Sequence, residues 1–137
     1  MNGDEPVLRA RVEGRAEIAF VDAVLDALEG IWSRADVADA DRMLFGLAVS
    51  EIATNVVTHA PDDAEVRVTA DLEVGRTALT AIIRDTAWPV DIAWADVSMP
   101  GPEAESGRGL ALAREALDVL DHHVDHGNVW TLVRRLA

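Results

Sequence analysis

At 137 residues, half of them apolar, the chain is long enough for one domain with its own core and too short for two ordinary ones. Its 12 basic residues, all arginine, stand against 25 acidic ones, and a formal net charge of −13 argues against sequence-independent binding to nucleic acid or to an anionic membrane. Cysteine is absent, which excludes disulfides and thiolate zinc sites; no apolar run nears the roughly 18 residues of a membrane span and no signal-peptide pattern opens the chain, so a soluble cytoplasmic protein is the expectation.

Leu8, Ala10 and Val12 alternate with Arg9 and Arg11, which predicts a half-buried strand over residues 7–12. A helix follows over 15–32, where Ile18, Val21, Leu25, Leu28 and Trp32 form one apolar stripe. Residues 37–41 read as a short polar connection, and a second helix over 41–60 stops at Pro61, which cannot continue it. Val66, Val68, Ala70 and Leu72 alternate with Arg67, Thr69, Asp71 and Glu73; after a turn at Gly75, residues 77–85 return as the second strand of a hairpin. The stretch 86–106 holds Pro89, Pro100, Gly101 and Pro102 and has no sustained periodicity, the pattern of a long functional or mobile loop. A third helix over 107–120 and a last hairpin turning near Gly127, with 129–136 as its outgoing strand, complete the order β α α β β loop α β β. That order predicts a single α+β domain over residues 1–137, a two-layer α/β sandwich with one mixed, mostly antiparallel sheet and helices on one face.

Three residue sets carry candidate chemistry. In the second helix the predicted apolar stripe Leu44, Leu47, Ala48, Ile52 and Val56 extends, at three- and four-residue steps, to Glu51, Asn55 and His59. Polar groups on or beside a buried face need partners or a wet cavity, since each unsatisfied one costs roughly 1–3 kcal/mol; the alternative is that they border the stripe and are solvated. Ser106-Gly107-Arg108-Gly109-Leu110 stands directly before the third predicted helix, where glycines admit a close ligand and free N–H groups favour an anion, although such helix starts are more often structural. Strand alternation from Leu79, Ala81 and Ile83 puts Asp85 on the helix side at a strand end, as a site carboxylate or as a strand-terminating turn residue. His122, His123 and His126 suggest a metal site at first sight, but in a hairpin they read better as exposed polar residues. Trp88 and Trp94 in the long loop are candidates for contact with a partner or a nucleotide, or for packing onto the domain.

Taken together, Glu51-Ile-Ala-Thr-Asn55-Val-Val-Thr-His59-Ala resembles the N-box of the GHKL ATPase superfamily, Arg84-Asp85-Thr86 its G1 box, and Glu105-Ser-Gly107-Arg-Gly109-Leu its G2 box. Their order and spacing resemble those of the small anti-sigma-factor serine kinases and their actinobacterial relatives, and His126-Gly-Asn-Val-Trp130 is similar to that group's closing strand. The resemblance implies the Bergerat ATP-binding fold. It implies that Glu51 activates the attacking hydroxyl or water, that Asn55 coordinates Mg²⁺ bridging the phosphates, and that Asp85 accepts a hydrogen bond from the adenine amino group. It further implies that Gly107 and Gly109, with Arg108 between them, meet the phosphates of ATP, and that residues 86–106 form the ATP lid.

The function implied is that of an anti-sigma regulatory factor. Such a protein binds a sigma factor, phosphorylates a Ser or Thr on an anti-anti-sigma partner of the STAS type, and often forms a homodimer. The sequence departs from the pattern in three places: Thr86, Ala87, Trp88 and Pro89 stand where the G1 box carries glycines, Thr58 replaces a basic N-box residue, and Asn128 replaces a Thr near the adenine. These departures leave open a second reading, a non-catalytic binding module of the same fold. A histidine-kinase catalytic fragment fits less well, because no helix pair with a phosphoacceptor His is seen.

Overall fold

The protein is described here by a computed structural model, which covers residues 7–60, 65–88 and 105–136. Its elements in chain order are β1 (Leu8–Arg15), α1 (Ile18–Trp32), α2 (Asp39–His59), β2 (Arg67–Val74), β3 (Ala78–Asp85), α3 (Glu105–Ala116), β4 (Val119–Val124) and β5 (Asn128–Arg135). The five strands form one sheet in the order β1-β2-β3-β5-β4, and all four pairings are antiparallel. The last strand therefore lies between β3 and β4, and residue 85 at the end of β3 faces residue 128 at the start of β5.

Period-2 alternation decides which sheet face is covered. Ala70, Ile83 and Trp130 are register neighbours across β2, β3 and β5, as are Leu72, Ala81 and Leu132, and all six are buried. On the opposite parity Arg9 lies beside Glu73, and Arg11 is close to Asp71, as exposed ion pairs. The helices cover the apolar face: α1 packs on β1 and β2, α2 on β3 and β5, and α3 on α2 and β4. Trp32 of α1 meets Phe45 of α2 edge to face, with ring centroids 6.4 Å apart.

The helix boundaries and stripes differ from the sequence expectation in instructive ways. β1 runs to Arg15, which pairs with Arg67, and the N–H of Ala16 still donates to the Val66 carbonyl, so α1 starts at Ile18 and not at residue 15. Ile18 is 62% exposed, and the buried stripe consists of Phe20, Val21, Val24, Leu28, Ile31 and Trp32. In α2 the buried stripe is Phe45, Ala48, Val49, Ile52, Ala53 and Val56, which leaves Leu47 facing outward. α3 ends at Ala116, four residues short of the expected end, because Leu120 pairs with Leu132 and the Asp118 N–H donates to the Val133 carbonyl. The apolar residues Leu117 and Leu120 fit a helical step as well as a strand; pairing with β5 selects the strand. No helix among the described residues is long and apolar enough to cross a membrane.

Arg134 of β5 ties the start of α2 to the end of α3. Its Nε donates to Asp41 Oδ1 at 2.9 Å, in the first turn of α2, and its Nη1 donates to the Ala116 carbonyl at 2.8 Å, at the end of α3. Both side chains of the ion pair are only about a fifth exposed (21% and 22%). Arg134→Ala is expected to lower unfolding stability by about 2 kcal/mol in urea titration. Arg134→Lys is expected to recover only part of that, since an ammonium cannot reproduce the fork that serves two acceptors.

Candidate functional site

Asp85 and Asn128 are the two buried polar side chains among the described residues, at 7% and 1% exposure, and they lie opposite each other at the same end of β3 and β5. Parity places Asp85 on the helix side, as expected from Leu79, Ala81 and Ile83. Its Oδ1 accepts three hydrogen bonds: from the backbone N–H of Asn128 at 3.3 Å, from Asn128 Nδ2 at 3.0 Å and from the N–H of Ala87 at 2.9 Å. The last is an Asx turn, so Asp85 is both a strand-terminating turn residue and a buried carboxylate.

The second oxygen of Asp85 stands differently. Among the described residues Oδ2 takes no hydrogen bond, and no buried side-chain nitrogen or oxygen lacks a partner, so Oδ2 reaches accessible space. The chain leaves the sheet beside it under control. Thr86 N–H donates to the Arg67 carbonyl at 3.1 Å, and its Oγ1 accepts from the Arg67 N–H at 3.0 Å.

A glycine makes this strand end possible. Gly127 has φ +130°, and a Cβ placed on it would lie 1.9 Å from the Asp85 carbonyl oxygen and 3.1 Å from Thr86 Cα. The turn between β4 and β5 therefore rests directly on the backbone of the Asp85–Thr86 turn, with His126 also in the left-handed region at φ 57°.

The second half of the candidate site lies where α2 meets α3. Glu51 and Asn55 are half-buried, one turn apart, flanking the buried stripe of α2. His59 is exposed; its Nδ1 donates to the Asn55 carbonyl at 2.8 Å, so it caps its own helix and does not join the other two. α3 begins at Glu105, so Gly107 and Gly109 lie inside its first two turns and not ahead of the helix. The Glu51 carboxylate occupies the space above Gly109: a Cβ there would come within 2.6 Å of Glu51 Oε2. Arg108, between the glycines, is exposed, and so is Thr58.

The structure thus brings Glu51 against Gly109 and Asp85 against Asn128, and α2, which carries Glu51, packs on α3, β3 and β5. Residues 89–104 of the expected lid, with Trp94, lie outside the described residues, as does Pro61. Trp88 is 83% exposed. Two further contacts escape sequence reasoning. One is the bond from Asn128, which the resemblance had put only near the adenine, to Asp85, 43 positions away in the chain. The other is made by His122, which is half-buried and not an exposed hairpin residue: its Nε2 lies 2.7 Å from Asn128 Oδ1 and its ring is 4.7 Å from that of Trp130. His123 and His126 are exposed beside Asp121 and Asp125, and among the described residues no three His, Asp or Glu side chains converge as a metal site.

Chemically, the strand end offers one open carboxylate oxygen suited to an amino group. The helix pair offers an amide, a carboxylate and a glycine-opened helix start, whose N–H groups and dipole suit an anion.

The profile of the histidine kinase-like ATPase domain matches residues 14–134. Among solved structures, the RsbU and RsbW domains of Rv1364c from Mycobacterium tuberculosis align over 95% of this chain and 32% of that one, with 22% identity and a TM-score of 0.63. The histidine kinase domain of a blue-light activated histidine kinase from Erythrobacter litoralis aligns over 85% of this chain and 59% of that one, with 21% identity and a TM-score of 0.56. The chain thus spans about a third of the first structure and under two thirds of the second, and at these identities the likeness is one of fold. No protein of curated function matches it.

Gly127→Ala is expected to cost about 3 kcal/mol or more, because the clash is with backbone and the conformation is strained for any Cβ. Thermal unfolding checks the loss, and Gly14→Ala, where the nearest atom to a new Cβ is 3.7 Å away, serves as the mild control.

Proposed function

The chain belongs to the histidine kinase-like ATPase domain family, and we propose that it binds MgATP and phosphorylates a Ser or Thr on a partner protein. The observation that carries this reading is the Glu51 carboxylate lying over Gly109, next to the start of α3, one helical turn from Asn55. A general base adjacent to a phosphate-binding helix start is what transfer to a hydroxyl requires.

In this reading Asp85 Oδ2 accepts the adenine amino hydrogen, Asn55 holds Mg²⁺, and the unpaired N–H groups of the first turn of α3 meet the phosphates, with Gly107 and Gly109 leaving room for them and Arg108 between. When bound at Asn55, Mg²⁺ would supply positive charge to the phosphates. That matters in a chain of net charge −13, where phosphate has to be held by local geometry and not by a basic field. Glu51 takes the proton of the incoming hydroxyl as its oxygen bonds to the terminal phosphorus; the bond to the bridging oxygen breaks and ADP leaves. Glu51 makes a poor direct phosphate ligand, since like charges repel.

The biological role that fits is an anti-sigma regulatory factor in the cytoplasm. It exchanges a sigma factor for an anti-anti-sigma protein of the STAS type, the partner that carries the acceptor hydroxyl. The likeness to a structure containing an RsbW domain supports this choice, as do the N-box and G2 residues. The Asx turn that replaces the G1 glycines favours a second reading: a rigid strand end that binds nucleotide or partner without catalysis.

Calorimetric titration separates these possibilities. MgATP is expected to release heat on binding, with the Mg²⁺ dependence lost in Asn55→Ala; no heat and no thermal shift at millimolar MgATP would remove the nucleotide reading. Glu51→Ala is expected to abolish phosphotransfer to a cognate antagonist while ATP affinity stays within about threefold. ATP binding without transfer by the native protein would favour the non-catalytic module. Gly109→Ala is a complementary probe. A methyl group there pushes the Glu51 carboxylate aside, while the helix gains up to about 1 kcal/mol of propensity. Phosphotransfer is expected to fall at least tenfold with the melting temperature unchanged or raised.

A further inference from the structure

Asn128 replaces the Thr expected near an adenine, and its side chain is directed at the protein itself. Nδ2 donates to Asp85 Oδ1 and to the Trp88 carbonyl, each at 3.0 Å, and Oδ1 lies 2.7 Å from His122 Nε2. These contacts fix the orientation of the amide. Asp85 Oδ1 and the Trp88 carbonyl are acceptors, so the amide nitrogen faces them and the amide oxygen faces His122. His122 Nε2 therefore carries a hydrogen and donates it. The imidazole is held in place by a tilted ring contact with Trp130, two residues along the strand from Asn128.

The consequence falls on Asp85. Three N–H donors saturate Oδ1, one of them the side chain that His122 orients, and the carboxylate plane is pinned with Oδ2 as its remaining acceptor. We propose that His122 and Asn128 are positioning residues that set the purine selectivity of Asp85, so that the site takes a 6-amino purine nucleotide and rejects a 6-oxo one. A pinned acceptor meets the hydrogen of a 6-amino group, whereas a 6-oxo group presents oxygen to oxygen. A carboxylate free to rotate shifts to reach other donors on the ring and discriminates less. The inference rests on the reading of Asp85 as the base-recognising residue.

The test compares ATP with ITP, which differ at the 6-position of the purine, in magnesium-containing calorimetric titrations of the full chain. His122→Phe keeps a ring against Trp130 and removes the donor; His122→Gln offers an amide N–H in place of Nε2–H. The native protein is expected to prefer ATP. His122→Phe is expected to lower the ATP-to-ITP affinity ratio about tenfold, the worth of one buried hydrogen bond, through ATP alone. His122→Gln is expected to restore the ratio.

An unchanged ratio in His122→Phe overturns the inference and leaves the nucleotide reading standing, and so does an equal loss in both variants. If the native protein binds neither nucleotide, the reading of Asp85 falls first and the inference with it. Nitrogen-15 NMR of the nucleotide-free protein gives an independent readout: the Nε2–H tautomer at His122 and two inequivalent, slowly exchanging Asn128 amide hydrogens are expected. An Nδ1–H tautomer overturns the proposal whatever the titrations give.

Discussion

A carboxylate and an amide buried side by side at one end of β3 and β5 set the terms for the strand end around them. Each would cost roughly 1–3 kcal/mol if left without partners, and the surrounding chain is arranged so that neither is. The register that places Asp85 opposite Asn128 is the first requirement. The second is a turn with no Cβ, because Gly127 rests on the Asp85 carbonyl. The third is the donor on β4, His122, which ties the edge strand to the same point. Satisfying one buried pair thereby settles where β4 sits, how the β4–β5 turn folds and in which direction the chain leaves β3.

The helical half of the site follows a looser rule. Glu51 and Asn55 flank a buried stripe and do not lie within it, so they remain half-exposed and need no fixed partner. What constrains them is space. α3 approaches α2 closely enough at Gly109 that a single methyl group would contest the Glu51 carboxylate. A rigid strand end and an adaptable helix pair suit the proposed division of labour. Recognition of a flat base gains from a pinned acceptor, whereas a carboxylate that takes up a proton has to move with its substrate.

Both halves depend on the two-layer core to hold them in register. The face made by Ala70, Leu72, Ala81, Ile83, Trp130 and Leu132 is apolar and continuous, and α2 lies across it on β3 and β5. Arg134 then joins the start of α2 to the end of α3 through two bonds of one guanidinium, which limits sliding between the helices at the end of α2 remote from Asn55. With no lysine in the chain, this tie, like the other non-histidine side-chain ion pairs, is made by arginine.

The sequence by itself determined the layer architecture and pointed to Glu51, Asn55 and Asp85 as polar residues on or beside the covered face, although it misplaced His59, which is exposed, and His122, which is half-buried. Alternation over residues 66–73 and 77–85 is local and unambiguous, parity alone put Asp85 on the covered face, and helical spacing alone put Glu51 and Asn55 on neighbouring turns. Tertiary structure decided the rest. Leu117 and Leu120 suit a helix or a strand equally, and only pairing with β5 ended α3 at Ala116. Phe45 and Val49 displaced Leu47 from the buried stripe of α2 because Trp32 packs edge-on against Phe45 from α1. The partnership of Asp85, Asn128 and His122 is invisible to any local pattern. It arises because β5 is inserted between β3 and β4, and a contact between residues 43 positions apart depends on strand order, which periodicity does not encode.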